Sequence, residues 1–206
     1  MSFPSHKYYD FNDFVKDYYN NLINGSKLID NERLKLCAEI CETVFQNNNW
    51  LFVCGNGGSA AIANHFIADY TKLISTGTKL KPKVHSLSNN VEIISAIAND
   101  ISYEEIFSYQ LNRFATKNDA LIVISGSGNS PNIIKALSDG KKIGCKTIAF
   151  TGFTGGAARK LADISIHVDV HNYGIVEDLH QGLMHIIAQY IRQKALPDDD
   201  FKNEKF

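Results

Sequence analysis

The pattern of apolar positions divides the chain into two parts. In the first part, residues 8–24 and 31–47 carry apolar side chains at helical spacing, and Asn24-Gly25-Ser26 separates them. These two segments predict an N-terminal hairpin of helices over residues 8–47. An amphipathic pair of this kind packs either against its own chain or against a second subunit, and the pattern alone does not choose between them.

From Trp50 onwards, short apolar runs alternate with longer helical patterns. The apolar runs predict five strands, at 50–54, 83–87, 120–125, 146–152 and 164–170. The helical patterns lie at 58–73, 91–98, 103–115, 130–142, 155–162 and 175–194. Apolar strands that alternate with helices are typical of a parallel sheet covered on both faces. We therefore predict one domain over 1–206 with an α/β core at 50–194, and ligands at the carboxyl ends of the strands.

Composition and charge narrow the range of partners. The chain has 21 basic and 22 acidic residues and a formal net charge of −1, which argues against nucleic acid or a membrane surface as the main partner. It shows no signal-peptide pattern and no apolar run of about 18 residues, so we expect a cytoplasmic protein. The four cysteines form no C-x-x-C pair, and we expect them to be free thiols packed in the interior.

A glycine-rich segment, GNGGSA, follows the first predicted strand and opens a helix at residues 55–60. Glycines let a ligand approach the backbone, and the start of a helix presents unpaired N–H groups with partial positive charge. The segment matches neither the G-x-G-x-x-G pattern of dinucleotide sites nor the lysine-containing phosphate loop. It is either a tight connection or one part of a ligand site.

A second segment of the same kind, SGSGNSPN, leaves a strand and enters a helix at residues 125–132. Ser125, Ser127 and Ser130 place hydroxyls beside the amides of the helix start, a combination that suits a phosphate monoester. The alternative is that Ser130 caps the helix and the rest is a turn. Two such loops at one edge of a parallel sheet would converge on the same ligand, which favours a phosphorylated compound.

Asn99 and Asp100 stand before the predicted helix at 103–115. They would either cap that helix or bind sugar hydroxyls, because a carboxylate beside an amide can both accept and donate hydrogen bonds.

Titratable side chains recur at helical spacing on two predicted helices. His65 and Asp69 lie four residues apart, which suits two metal ligands, an acid–base pair or a structural contact. Glu177, Gln181 and His185 form a polar ridge on the last helix, and a solvated outer face is the alternative.

Two further expectations concern the last helix. Glu177 and His185 are separated by a rise of roughly 12 Å. If both act in one site, we expect one of them to come from a neighbouring subunit, or the helix to be distorted. His180 lies nearer the apolar stripe, which predicts a buried, hydrogen-bonded histidine.

The order and spacing of these motifs resemble one family. CGNGGSA…HF, AND, SGSGNS and EDLHQGLMH follow one another as in the SIS (sugar isomerase) domain of the sedoheptulose 7-phosphate isomerases, also called phosphoheptose isomerases. The resemblance implies a flavodoxin-like five-stranded parallel sheet and a homotetramer with active sites between subunits. It also implies conversion of sedoheptulose 7-phosphate to D-glycero-D-manno-heptose 7-phosphate, early in bacterial heptose synthesis for lipopolysaccharide or capsule.

The resemblance also implies roles for individual residues. Asp69 and His185 match the catalytic pair, which moves a proton through an enediol intermediate. His65 matches a residue that helps to hold zinc in members that bind it, and His65, Asp69, Glu177 and His185 form a ligand set for one zinc ion per subunit. The residues expected to contact the phosphorylated sugar are Asn56, Gly57, Gly58, Ser59, Asp69, Asn99, Asp100, Ser125, Gly126, Ser127, Ser130 and Glu177.

Two positions depart from the family pattern. Asp69 stands where a catalytic glutamate is typical, and Glu177 stands where glutamine is typical. Withdrawing a carboxylate by about 1 Å affects proton transfer strongly, so the changes are compatible with a different phosphosugar or with lost catalysis.

Two other functions therefore stay open. One is a non-catalytic tetramer like the family member that binds the bacterial replication initiator, and the other is a phosphosugar-sensing domain. The Asp69–His185 pair and the intact loop at 127–130 favour an enzyme. The sequence contains no DNA-binding segment, which argues against the phosphosugar-sensing domain.

Overall fold

Two helices precede the sheet in the computed structural model, which describes residues 3–197. Helix α1 spans Phe11–Ser26 and α2 spans Asn31–Gln46, and aspartate side chains accept hydrogen bonds from the first-turn N–H groups of both. The predicted hairpin is therefore present, while residues 1–2 and 198–206 of the predicted domain lie outside the described part. Over residues 3–197, no helix has the length and apolar character needed to cross a membrane.

The sheet has five parallel strands in the order β2-β1-β3-β4-β5. The strands are β1 (Trp50–Gly55), β2 (Lys83–Ser86), β3 (Ala120–Ser125), β4 (Lys146–Thr151) and β5 (Ile164–His167). This is the flavodoxin-like order, which confirms the predicted fold class. The strand order reverses between β1 and β3, and these two strands lead into the two predicted ligand loops.

Six helices belong to the α/β core. They are α3 (Gly58–Ala68), α4 (Val91–Asp100), α5 (Ser108–Phe114), α6 (Pro131–Ile143), α7 (Gly156–Leu161) and α8 (Tyr173–Ala195). A π-helical turn, Asp69–Leu73, continues α3, so the α-helix predicted over 58–73 is shorter than expected. A 3₁₀ turn at Tyr103–Glu105 precedes α5, so the predicted helix at 103–115 is two separate segments.

The core lies on both faces of the sheet because successive strand side chains point in opposite directions. Leu51 and Val53 pack on the side covered by α1, α2, α3 and α8. Phe52 and Cys54 pack on the side covered by α4, α5, α6 and α7. All four cysteines are free and buried, as expected from their spacing.

Candidate functional site

The two predicted ligand loops lie side by side at the carboxyl edge of the sheet. We call residues 55–59 the glycine loop and residues 125–130 the serine loop. Gly55 stands opposite Ile124 in the paired strands. The side-chain amides of Asn56 and Asn132 exchange two hydrogen bonds, of 3.0 and 2.9 Å. Asn132, which sequence reasoning missed, thus joins the glycine loop to the start of α6.

The glycine loop leads into a helix whose first N–H groups are not capped by a side chain. Gly57 has φ +54° and ψ −125°, a conformation that favours glycine, and α3 begins after it without a side-chain cap. A Cβ atom on Gly58 would overlap with the carboxylate of Glu177, which therefore lies beside the N-terminus of α3. The partial positive charge of a helix start stabilises an anion at this position. Ser59 is buried in the first turn of the same helix.

The serine loop owes its shape to Ser125 and Gly128. The buried Ser125 hydroxyl accepts the N–H of Gly128 at 3.1 Å, and Gly128 has φ +66°. A Cβ atom on Gly128 would overlap with the carbonyl oxygen of Gly155, so no larger residue fits without moving the backbone.

The serine loop also leaves a hydroxyl available at the start of α6. Ser130 occupies the N-cap position of α6, as the capping alternative expects, but its side chain makes no capping hydrogen bond. Ser127 Oγ accepts the N–H of Asn129 at 3.3 Å. Hydroxyls and helix-start amides therefore occur together at the carboxyl edge of the sheet, a combination that suits an anion.

Aromatic side chains border the serine loop. The ring of Tyr173 lies 3.3 Å from the position of a Cβ on Gly126, and the rings of Tyr173 and Phe153 pack with centroids 4.6 Å apart. Phe153 has φ +50°, an uncommon value for a residue with a side chain. No spacing in the sequence indicates this contact, because Phe153 lies in the loop after β4 and Tyr173 is the first residue of α8.

The structure corrects the expected place of Asn99 and Asp100. They are the last residues of α4, not the start of the next helix, so the capping alternative is wrong. Both are exposed, and the Asn99 amide donates to Asp100 Oδ1 at 2.8 Å. Tyr103, a few residues later, donates to Asn56 Oδ1 at 3.2 Å, which brings this turn to the glycine loop.

Helix α8 runs beside α3 in the same direction. Glu177 lies next to Gly58 near the start of both helices, and Tyr70 Oη donates to the carbonyl of Met184 at 3.2 Å further along. This register brings His185 to the end of α3. There His185 contacts the carboxylate of Asp69, the first residue of the π-helical turn. π-Helical turns are frequent at functional sites.

Asp69 contacts two histidines at this point. His185 Nδ1 lies 2.6 Å from Asp69 Oδ2, and His65 Nε2 lies 3.3 Å from Asp69 Oδ1. Gln181, which the sequence placed only on a polar ridge, has its amide nitrogen 2.9 Å from a nitrogen of each histidine. Its position one helical turn before His185 is the sequence feature that could have indicated this contact. The ridge thus faces α3 rather than solvent alone.

Three of the four expected metal ligands come together. Ligand atoms of His65, Asp69 and His185 all lie within 4.8 Å of one another, whereas Glu177 lies outside this group. Helix α8 is α-helical from Tyr173 to Ala195, so it shows no distortion that would bring Glu177 to His185. Glu177 and His185 would then ligate the same metal ion only if they came from two different subunits.

His180 is buried as the sequence predicts. It has no exposed surface, and its Nε2 lies 3.3 Å from the carbonyl oxygen of Thr151. Because that carbonyl only accepts, Nε2 carries the hydrogen. Burial lowers the pKa of His180 to about 4, since the charged imidazole would lose its hydration.

The fold agrees with comparisons to known proteins. The SIS-domain family model matches residues 15–152, which defines the class as a SIS-domain protein. The chain is 36% identical over 179 residues to a phosphoheptose isomerase of Aliarcobacter butzleri, covering 86% of this chain and 94% of that protein. Within its class, the chain therefore belongs to the phosphoheptose isomerase family.

Solved structures of the family have the same fold. The phosphoheptose isomerase GmhA of Neisseria gonorrhoeae superposes with a TM-score of 0.79 at 27% identity, covering 87% of this chain and 95% of that one. A phosphoheptose isomerase from Francisella tularensis also gives 0.79, at 26% identity, with 88% and 96% covered.

Proposed function

We propose that this chain is an aldose–ketose isomerase that converts sedoheptulose 7-phosphate to D-glycero-D-manno-heptose 7-phosphate. The observation that carries the proposal is the 2.6 Å contact between His185 Nδ1 and Asp69 Oδ2, in a chain of the phosphoheptose isomerase family. The proposal is tested by incubating the purified protein with sedoheptulose 7-phosphate and following the conversion by NMR. An Asp69→Asn variant serves as the reference with lowered activity.

The proposed chemistry needs two proton transfers. One group removes a proton from the carbon beside the carbonyl, which gives an enediol, and a second group delivers a proton to the neighbouring carbon. Asp69 and His185 are close enough to exchange a proton between these steps. His65 contributes a second contact to the same carboxylate, which restricts the orientation of Asp69.

The serine loop is the proposed phosphate site. Ser127→Ala and Ser130→Ala should each weaken phosphosugar binding by about 1.5–3 kcal/mol, because each removes a hydroxyl donor to a charged oxygen. Calorimetry with sedoheptulose 7-phosphate measures the affinity. Ser95→Ala is a matched control, since Ser95 is exposed and its hydroxyl donates to a backbone carbonyl of its own helix. Unchanged affinity in both loop variants would exclude this loop as the phosphate site.

The donor set of His65, Asp69 and His185 fits a zinc ion. Catalytic zinc sites use three nitrogen and oxygen ligands from the protein and keep one position open. When bound, the metal would polarise a substrate oxygen or hold the side chains in place. Equilibrium dialysis with metal analysis tests this, and zinc retention that is equal in the wild type and Asp69→Asn would contradict it.

The proposed assembly is a homotetramer with active sites between subunits. Phe11, Tyr19 and Ile23 on α1 and Ile186 on α8 are each more than half exposed, although they are large and apolar. Glu177 and His185 also lie roughly 12 Å apart along α8, so one compact site using both would need two subunits. We expect light scattering at micromolar concentration to give four times the chain mass of 23.0 kDa. A stable monomer would contradict the proposal.

A further inference from the structure

Asn132 is a buried polar side chain at the start of α6. It is the second residue of that helix, and only 1% of its surface is exposed. Its Nδ2 donates to Oδ1 of Asn56 at 2.9 Å, and its Oδ1 accepts from Nδ2 of Asn56 at 3.0 Å. The pair of amides therefore connects the helix that follows the serine loop to the glycine loop.

The two amides fix each other's orientation. In this reciprocal pair each nitrogen faces an oxygen, so a half turn of the Asn56 amide alone would place oxygen against oxygen and nitrogen against nitrogen. A buried amide without a partner is unfavourable, so Asn132 opposes that rotation. Asn56 is only half-buried, and without Asn132 its amide could rotate and form hydrogen bonds with water instead.

The contacts of Asn56 leave it a hydrogen-bond donor. Its Oδ1 accepts from Asn132 and from the hydroxyl of Tyr103 at 3.2 Å, and a carbonyl oxygen has two lone pairs. Its Nδ2 has two hydrogens, and one of them is donated to Asn132. Among the contacts of residues 3–197, the other hydrogen has no acceptor. An oxygen of a ligand can therefore take it.

We propose that Asn132 is a positioning residue, which holds the amide of Asn56 so that it donates a hydrogen bond to an oxygen of the ligand. Asn132 acts through Asn56, because it is itself buried. The inference rests on the proposed function only for the identity of the ligand, a phosphorylated sugar whose hydroxyl and carbonyl oxygens accept hydrogen bonds.

The side-chain NH2 signals of Asn56 test the proposal by NMR without a substrate. In the wild type we expect one proton signal to lie downfield of the signals of exposed asparagines, because that hydrogen is bonded to Asn132. Asn132→Leu keeps a side chain of similar size and removes both partner atoms, so it should return this signal to the exposed position. Tyr103→Phe should leave both signals nearly unchanged, because Tyr103 contacts the oxygen of Asn56.

Two results of this measurement would overturn the proposal. One is an Asn56 signal that does not move in folded Asn132→Leu. The other is a signal that moves in Tyr103→Phe, since a hydrogen of Asn56 rather than its oxygen would then face Tyr103.

A double-mutant cycle tests whether Asn132 acts through Asn56. Asn132→Leu should lower kcat/KM for sedoheptulose 7-phosphate about threefold to tenfold, the contribution of one hydrogen bond. In an Asn56→Ala background, the same change should lower kcat/KM by less than about twofold, because the residue that it positions is absent. A purely structural role would give equal effects in the two backgrounds, and that result would overturn the proposal.

Asn112→Leu is the matched control, since Asn112 is exposed and its amide donates to the carbonyl of Ser108 on its own helix. It should change neither the Asn56 signals nor kcat/KM. If the wild type does not convert sedoheptulose 7-phosphate, the proposed function is refuted, while the Asn56 signals still decide whether Asn132 positions Asn56.

Discussion

Asp69→Asn and His185→Gln should each lower turnover by about 10²–10⁴-fold, the usual contribution of a general acid or base. Asparagine keeps the shape of the aspartate but removes its charge and its ability to take a proton. Glutamine keeps a polar side chain at position 185 but does not titrate. Phosphosugar affinity should change little, because the proposed phosphate site is the serine loop. Steady-state kinetics and calorimetry on the same preparations separate the two quantities.

Asp178→Asn is the matched control for this pair. Asp178 lies on α8 as well, but its carboxylate accepts from Tyr18 on α1, away from Asp69. Its turnover should equal that of the wild type. If Asp69→Asn and His185→Gln also turned over at the wild-type rate, the assignment of the pair would be wrong.

Asp69→Glu separates two explanations of the shorter carboxylate, because it restores the length typical of the family. If aspartate is an adaptation to another sugar, glutamate should lower activity on that sugar. If aspartate marks lost catalysis, glutamate should raise the isomerisation of sedoheptulose 7-phosphate. Rates of wild type and variant on several ketose phosphates distinguish the two outcomes.

Acidification from pH 6.5 to 4 should cost about 3 kcal/mol of folding stability through His180 alone. Burial lowers its pKa from the ordinary 6.5 to about 4 in the folded chain, and each unit corresponds to about 1.4 kcal/mol. Between these values the unfolded chain binds the proton and the folded chain does not. The stability is therefore complete above pH 6.5 and is lost as the pH falls towards 4.

Urea unfolding at several pH values measures this loss. His180→Gln can still donate to the Thr151 carbonyl but does not titrate, so its stability should fall less steeply with pH. Burial also lowers the pKa of His85 and His167, so some loss remains in the variant. Gln189→Ala, at an exposed position of the same helix, removes no titratable group and should keep the full wild-type slope. Equal slopes in His180→Gln and the wild type would refute the role of His180.

The strands could be predicted well because parallel strands buried on both faces are apolar at nearly every position. Ala120–Ser125, buried throughout, has the predicted bounds. The end of α3 could not be predicted, because a π-helical turn continues the apolar pattern without a break. Asn99 and Asp100 were misplaced because short polar residues are common at helix ends, and these two end α4.

The site could be predicted only in part. The contact of His65 with Asp69 follows from their spacing on one helix. The contact of His185 with Asp69 joins residues 116 positions apart, and so does the contact of Gln181 with His65. Both depend on how α8 packs against α3, which no local pattern specifies. The resemblance to a family supplied the pairing of Asp69 with His185.

The most direct test of the central claim is to incubate the purified protein with sedoheptulose 7-phosphate and record NMR spectra over time. The proposed function predicts that signals of D-glycero-D-manno-heptose 7-phosphate appear with the wild type, and that Asp69→Asn produces them at least about a hundredfold more slowly. Sedoheptulose 7-phosphate that stays unchanged with folded wild-type protein, or equal conversion by the wild type and Asp69→Asn, would contradict it.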